Sequence, residues 1–110
     1  MGKKIMAPVH PGEILLEEFM KPLGLSQSAL AIELRIPNQR VHDLVHGRRG
    51  ITLDTAARLA RFFGVSTAFW MNLQTQYDLE VAEDEGLFER LAEDIRPLAR
   101  TERETEGATG

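Results

Sequence analysis

The chain has 110 residues, 13 Lys and Arg against 17 Asp and Glu, a net charge of -4, 43% hydrophobic residues and no Cys. These figures fit one small globular domain, exclude disulfides and thiolate metal sites, and leave no run apolar enough to span a membrane. The average charge hides a split: residues 1–64 carry nine Lys and Arg against six acids, and residues 65–110 carry four against eleven, a pattern of two surfaces with different partners.

No basic segment leads into a signal-peptide-like apolar run, so a cytoplasmic protein is expected. Alternating strand patterns are nearly absent, whereas apolar spacings of three and four recur from Pro11 to Tyr77, which predicts an all-α domain. A first helix starts at Pro11-Gly12-Glu13, with Pro tolerated and Glu favoured in a first turn, carries Leu15 and Phe19 inward, and stops by Pro22 to Gly24. A second starts from a Ser26 cap, buries Leu30, Ala31 and Leu34, and ends before Pro37 after roughly eight residues. A third begins at Pro37 or Asn38, buries Val41, Leu44 and Val45, and ends at Gly47, a natural left-handed C′ residue.

The fourth helix runs from a Thr52 cap through Leu53, Ala56, Ala57, Ala60 and Phe63 to Gly64. Ser66 caps a fifth, with Phe69, Trp70, Leu73 and Tyr77 on its apolar side. Five helices thus fill residues 11 to about 83. A weaker stripe of Leu87, Phe88, Leu91 and Ile95 follows, and the polar stretch TERETEGATG is expected to be disordered. The resulting division is an N-terminal arm (1–9), a helical domain (10–83), and an acidic, partly disordered extension (84–110).

Helices two and three flank a three-residue turn, the arrangement of a helix-turn-helix. In the second of these, the polar residues Asn38, Gln39, Arg40, His42 and Asp43 surround the anchors Val41, Leu44 and Val45, which suits a helix that reads the major groove. Asn and Gln can pair with adenine and Arg with guanine, each giving roughly 1–3 kcal/mol of discrimination. These five are the candidate base contacts, with a plain solvated helix face as the alternative. Gln27, just past the Ser26 cap, and His46, Arg48 and Arg49, where the chain leaves the groove, are the candidate phosphate contacts.

Other chemistries find little support. His42 and His46 stand at the i, i+4 spacing that can hold a metal, but with no Cys and no H-E-x-x-H pattern they read better as DNA-facing or solvated. No metal or cofactor is therefore expected. Glu17-Glu18 and Glu83-Asp84-Glu85 lack an accompanying nucleophile, base and orienting group, so no enzyme is expected either. Trp70 either closes the core or meets a second subunit.

Residues 26–64 resemble the lambda-repressor and Cro class of helix-turn-helix domains, the XRE family. His10-Pro11-Gly12-Glu13-Ile14-Leu15, Leu23-Gly24-Leu25-Ser26, Gly47-Arg48-Arg49-Gly50-Ile51-Thr52 and Phe69-Trp70-Met71-Asn72-Leu73-Gln74 resemble, in order and spacing, the HigA/VapI antitoxins. The resemblance implies a five-helix lambda-repressor-like fold with a short C-terminal helical extension. It further implies a homodimer that binds double-stranded operator DNA to repress its own operon and neutralises a HigB-like mRNA interferase toxin. The family's use of its fifth helix at the dimer interface points to Trp70, Leu73, Gln74 and Tyr77. Where the family usually has a small polar residue, this chain has Pro37; at the first helical position it would keep the geometry and lose a hydroxyl contact to phosphate. A stand-alone regulator without a toxin, and a pure protein-interaction module, are the competing readings.

Overall fold

The computed structural model describes residues 7–99, which contain helices and no strand. Helix α1 is composite: Pro11–Ile14 is α-helical, Leu15–Met20 is π-helical, and Lys21–Leu23 closes it before Gly24, which is left-handed at φ 66°. The sequence predicts its ends but not its widened middle. Pro22 has no N–H to return to the carbonyl four residues back, and the Lys21 N–H reaches five residues back to Leu16. At the other end the His10 imidazole, rather than a hydroxyl, accepts the Gly12 N–H at 2.9 Å.

Helix α2 (Gln27–Leu34) starts from Ser26, whose Oγ accepts the Ala29 N–H at 3.0 Å. It ends on Arg35 at φ 60°, a left-handed position for a residue with a side chain. The N–H groups of Arg35 and Ile36 close back on the Ile32 and Ala31 carbonyls, so the strained residue sits inside a Schellman end. Helix α3 (Asn38–Val45) follows the expected three-residue turn. Pro37 is its N-cap at ψ 144°, one position outside the helix rather than at its first residue, and offers the cap no side-chain acceptor.

Helices α4 (Leu53–Phe63) and α5 (Thr67–Asp84) begin at the expected Thr52 and Ser66 caps, and α4 ends at left-handed Gly64. One stripe needs correcting. Thr55, Ala56 and Leu59 are the buried face of α4, whereas Leu53 is 66% exposed and Ala57 is exposed, because the helix is turned so that positions 53 and 57 look outward together. The predicted extension is a sixth helix, α6 (Leu87–Asp94), which packs on α5 and buries none of its side chains. The TERETEGATG stretch lies outside the described residues.

The core joins Leu15 and Met20 of α1, Leu30, Ala31 and Leu34 of α2, Val41 and Leu44 of α3, Ile51, Ala56 and Leu59 around α4, and Trp70 of α5. Each large side chain so enclosed contributes roughly 1.5–3 kcal/mol relative to exposure. Trp70 is completely buried in an aromatic cluster, with its ring centroid 4.8 Å from that of Phe19 and 5.1 Å from that of Phe69. Its indole N–H has no hydrogen-bond partner among the described residues. Around this core α2 packs on α3, the arrangement that holds the polar side of α3 outward, while α1 braces α3 and α5.

Candidate nucleic-acid interface

The anchors of α3 are where the pattern demands them, since Val41 and Leu44 are buried and Val45 half-buried. Asn38, Gln39 and His46 are therefore exposed, and His42 and Asp43 half-exposed. Gln39 Nε2 donates to Asp43 Oδ1 at 2.8 Å one turn on, which fixes both side chains on the outward face. Asp43 is an acceptor there, suited to an exocyclic amine and unsuited to phosphate.

Gln27, at the start of α2, meets this face directly: its Oε1 lies 3.2 Å from His42 Nδ1. His46 Nδ1 lies 2.8 Å from the His42 carbonyl oxygen, and the two imidazoles stack with centroids 4.1 Å apart. A backbone carbonyl only accepts, so the His46 Nδ1 carries the hydrogen and the Nε2 of the neutral ring is an acceptor. A neutral His46 has no ring donor left for a phosphate oxygen; it donates through Nε2 only when protonated.

Arg40 departs from the other candidates. Its guanidinium turns along the flank of α3 toward α4, 3.7 Å from Asp54. Asp54 is also gripped by Arg58, whose Nε donates at 2.8 Å while its Nη1 donates to the Leu34 carbonyl at 2.8 Å. The Arg58 hydrogen bond, with the charges of Arg58 and Arg40 behind it, holds the Asp54 carboxyl below its usual range. Arg48 and Arg49 are exposed immediately after left-handed Gly47, beside the end of α3. Gln27, Asn38, Gln39, His42, Asp43 and His46 thus lie together, with Arg48 and Arg49 at one end and Arg40 on a separate flank.

Several positioning residues escape a reading by polarity. Gly12 abuts the last turn of α3, and His10 stands under the loop that follows it: its ring is within 3.8 Å of where a Gly47 Cβ would lie and edge-on to Tyr77 at 4.8 Å. Burial pushes the His10 pKa down, opposed by Asp78, a hydrogen bond to the Arg49 backbone and Glu13. Gln74 reaches the same loop from α5, accepting the Ile51 N–H at 2.7 Å and donating to Asp78 at 2.9 Å. The signal available for His10 and Gly12 is their place in the His-Pro-Gly-Glu block, which names the residues without giving their task.

The dimer set also changes. Trp70 is 0% exposed within its own chain, so it has no surface to offer a second subunit and belongs to the core. Leu73 packs on that core, Gln74 holds the 48–52 loop, and Tyr77 lies on His10; all three stay half-exposed.

A helix-turn-helix family model matches residues 16–70. Virulence-associated protein I of Dichelobacter nodosus is 51% identical over 84 residues, 76% of this chain and 78% of that protein. An uncharacterized HTH-type transcriptional regulator of Haemophilus influenzae is 38% identical over 90 residues, 82% of this chain and 84% of its own length. Among solved structures, the Pseudomonas aeruginosa antitoxin HigA with the higBA promoter superposes with a TM-score of 0.77 at 42% identity, over 84% of this chain and 99% of that one. The chain belongs to the helix-turn-helix family, in the group that holds Virulence-associated protein I and the HigA antitoxins.

Proposed function

We propose that this chain is a DNA-binding antitoxin that represses its own operon as a homodimer on a palindromic operator and neutralises a HigB-like mRNA interferase. The observation that carries the reading is the outward face of α3, where Gln39, His42 and Asp43 are fixed by hydrogen bonds above a fully buried anchor, in a chain 42% identical to an antitoxin solved on promoter DNA. Asn38, Gln39, His42 and Asp43 read base edges, with Arg40 joining them if it leaves Asp54. Gln27, Arg48 and Arg49 hold phosphates, as does His46 when protonated. The basic part of the chain before Gly64 faces DNA, and the acidic part after it suits a basic RNA-cleaving partner, where complementary charge speeds encounter. On this reading, with DNA and an mRNA-cleaving enzyme as partners, the protein works in the cytoplasm.

A stand-alone regulator is the second reading, favoured by the Haemophilus influenzae relative. The experiment that separates them pairs a gel shift on the chain's own promoter fragment with co-expression of the neighbouring reading frame. An antitoxin binds the fragment and rescues growth from the neighbour's product. A stand-alone regulator binds and rescues nothing, and absence of binding at low salt removes the operator half of both readings.

A further inference from the structure

We infer that His42 and His46 form a two-imidazole site for a divalent transition metal of the zinc, nickel or copper class on the exposed edge of α3. An imidazole ligates through an unprotonated ring nitrogen, and ligating histidines characteristically give their other N–H to a carbonyl or carboxylate that fixes tautomer and orientation. Both rings have that arrangement. His46 Nδ1 donates to the His42 carbonyl oxygen at 2.8 Å, and His42 Nδ1 donates to Gln27 Oε1 at 3.2 Å. Each ring thereby keeps the lone pair on Nε2, the nitrogen turned away from its anchor.

The rings are one helical turn apart with centroids 4.1 Å from one another and planes inclined by 35°, and His46 is exposed to solvent. Among the described residues no group of three or more His, Cys, Asp and Glu is placed to hold an ion. The site therefore supplies two nitrogen ligands and leaves the other positions to water, which makes the ion exchangeable rather than structural. Imidazole without hard carboxylate ligands selects zinc, nickel or copper over magnesium and calcium. His10, the remaining histidine, uses its Nδ1 to accept the Gly12 N–H and serves as an internal reference.

The test is a zinc chloride titration of the untagged full chain, free of DNA, followed by NMR of the imidazole Cε1–H signals. The expected result is a saturable shift of the His42 and His46 signals together while His10 stays in place. His42→Gln and His46→Gln each remove the chelate and weaken binding by at least about tenfold. Gln27→Ala weakens it by about tenfold through loss of the anchor on His42. The parent-protein titration decides the matter even if a variant fails to fold: no saturable shift up to millimolar zinc, or a shift at His10 alone, overturns the site. Folded single variants that bind as tightly as the parent overturn it as well.

Discussion

Gly12 on α1 lies directly against Leu44 on α3: a Cβ on residue 12 would stand 2.7 Å from the Leu44 carbonyl carbon and 3.1 Å from the Val45 Cα. What it would meet is helix backbone, which cannot swing aside as a side chain can. Gly12→Ala should therefore cost about 1–3 kcal/mol or more, the usual penalty of overpacking. It should also lower operator affinity by displacing α3, although residue 12 is not among the proposed DNA contacts. Urea unfolding and a gel shift on the same variant check this, and an unchanged unfolding midpoint would contradict it.

His10 makes stability depend on pH with a definite sign. Burial holds its pKa below the ordinary imidazole value of about 6.5, so the unfolded chain takes up a proton before the folded one does. The stabilising contribution is present above the unfolded pKa and is lost as pH falls through the lower, folded value. Protonation also puts a hydrogen on the Nδ1 that accepts the Gly12 N–H. The unfolding midpoint should fall between about pH 7.5 and pH 5, on either side of that ordinary value. His10→Asn keeps a capping acceptor without titrating in this range and should flatten that part of the profile. An identical profile in the variant would show that His10 is not the group responsible.

Asp54 competes for Arg40. With the Asp54 carboxylate 3.7 Å from the guanidinium, Arg40 is held on the α4 flank and its charge is partly offset. Asp54→Asn removes that attraction and one negative charge beside the proposed DNA face, so operator affinity at low salt should rise by a few fold, with the gain shrinking as salt is added. Fluorescence anisotropy across a salt series measures it. Weaker binding by Asp54→Asn would mean that the ion pair positions Arg40 for DNA rather than withholding it.

Gln74 tests whether half-exposed residues of α5 serve the subunit itself or its association. Its carboxamide accepts the Ile51 N–H at 2.7 Å, and a Cβ on Gly50 would lie 2.9 Å from its Oε1. Gln74→Ala strands a partly buried N–H and should cost about 1–3 kcal/mol, read by thermal or urea unfolding. Its mass by sedimentation should equal that of the parent. A stable variant that sediments as a smaller species would instead assign Gln74 to the subunit interface.

Patterns with a local cause were legible in the sequence. Ser26, Thr52 and Ser66 cap the helices they were expected to cap, Gly24, Gly47 and Gly64 are left-handed, and Pro37 ends the turn that makes α2 and α3 a pair. Hydroxyl acceptors, absent Cβ atoms and a missing N–H act within a few residues of themselves. Features that depend on a distant partner were not legible. The close approach of Gly12 to Leu44 and the grip of Gln74 on Ile51 each join segments far apart in the chain, and the exposure of Leu53 follows from how the whole of α4 is turned on the core. Arg40 shows the same limit at the site, where helical spacing places it beside the residues proposed to read the groove and only the folded position of Asp54 turns it away. Trp70 had two roles open to it because a large apolar residue near a domain edge suits core and interface alike, until its complete burial decided between them.

The central claim is that the outward face of α3 reads a specific operator. The most direct measurement is fluorescence anisotropy of the chain with a fragment of its own promoter and with a scrambled fragment, across a salt series, for the parent, Gln39→Ala and Arg49→Ala. The parent should prefer its promoter. Gln39→Ala should lose about 1–3 kcal/mol of discrimination at one base pair. Arg49→Ala should weaken binding to both fragments and lower the salt slope by about 1. Equal affinity of the parent for promoter and scrambled DNA, or a Gln39→Ala variant that discriminates as well as the parent, would contradict the account.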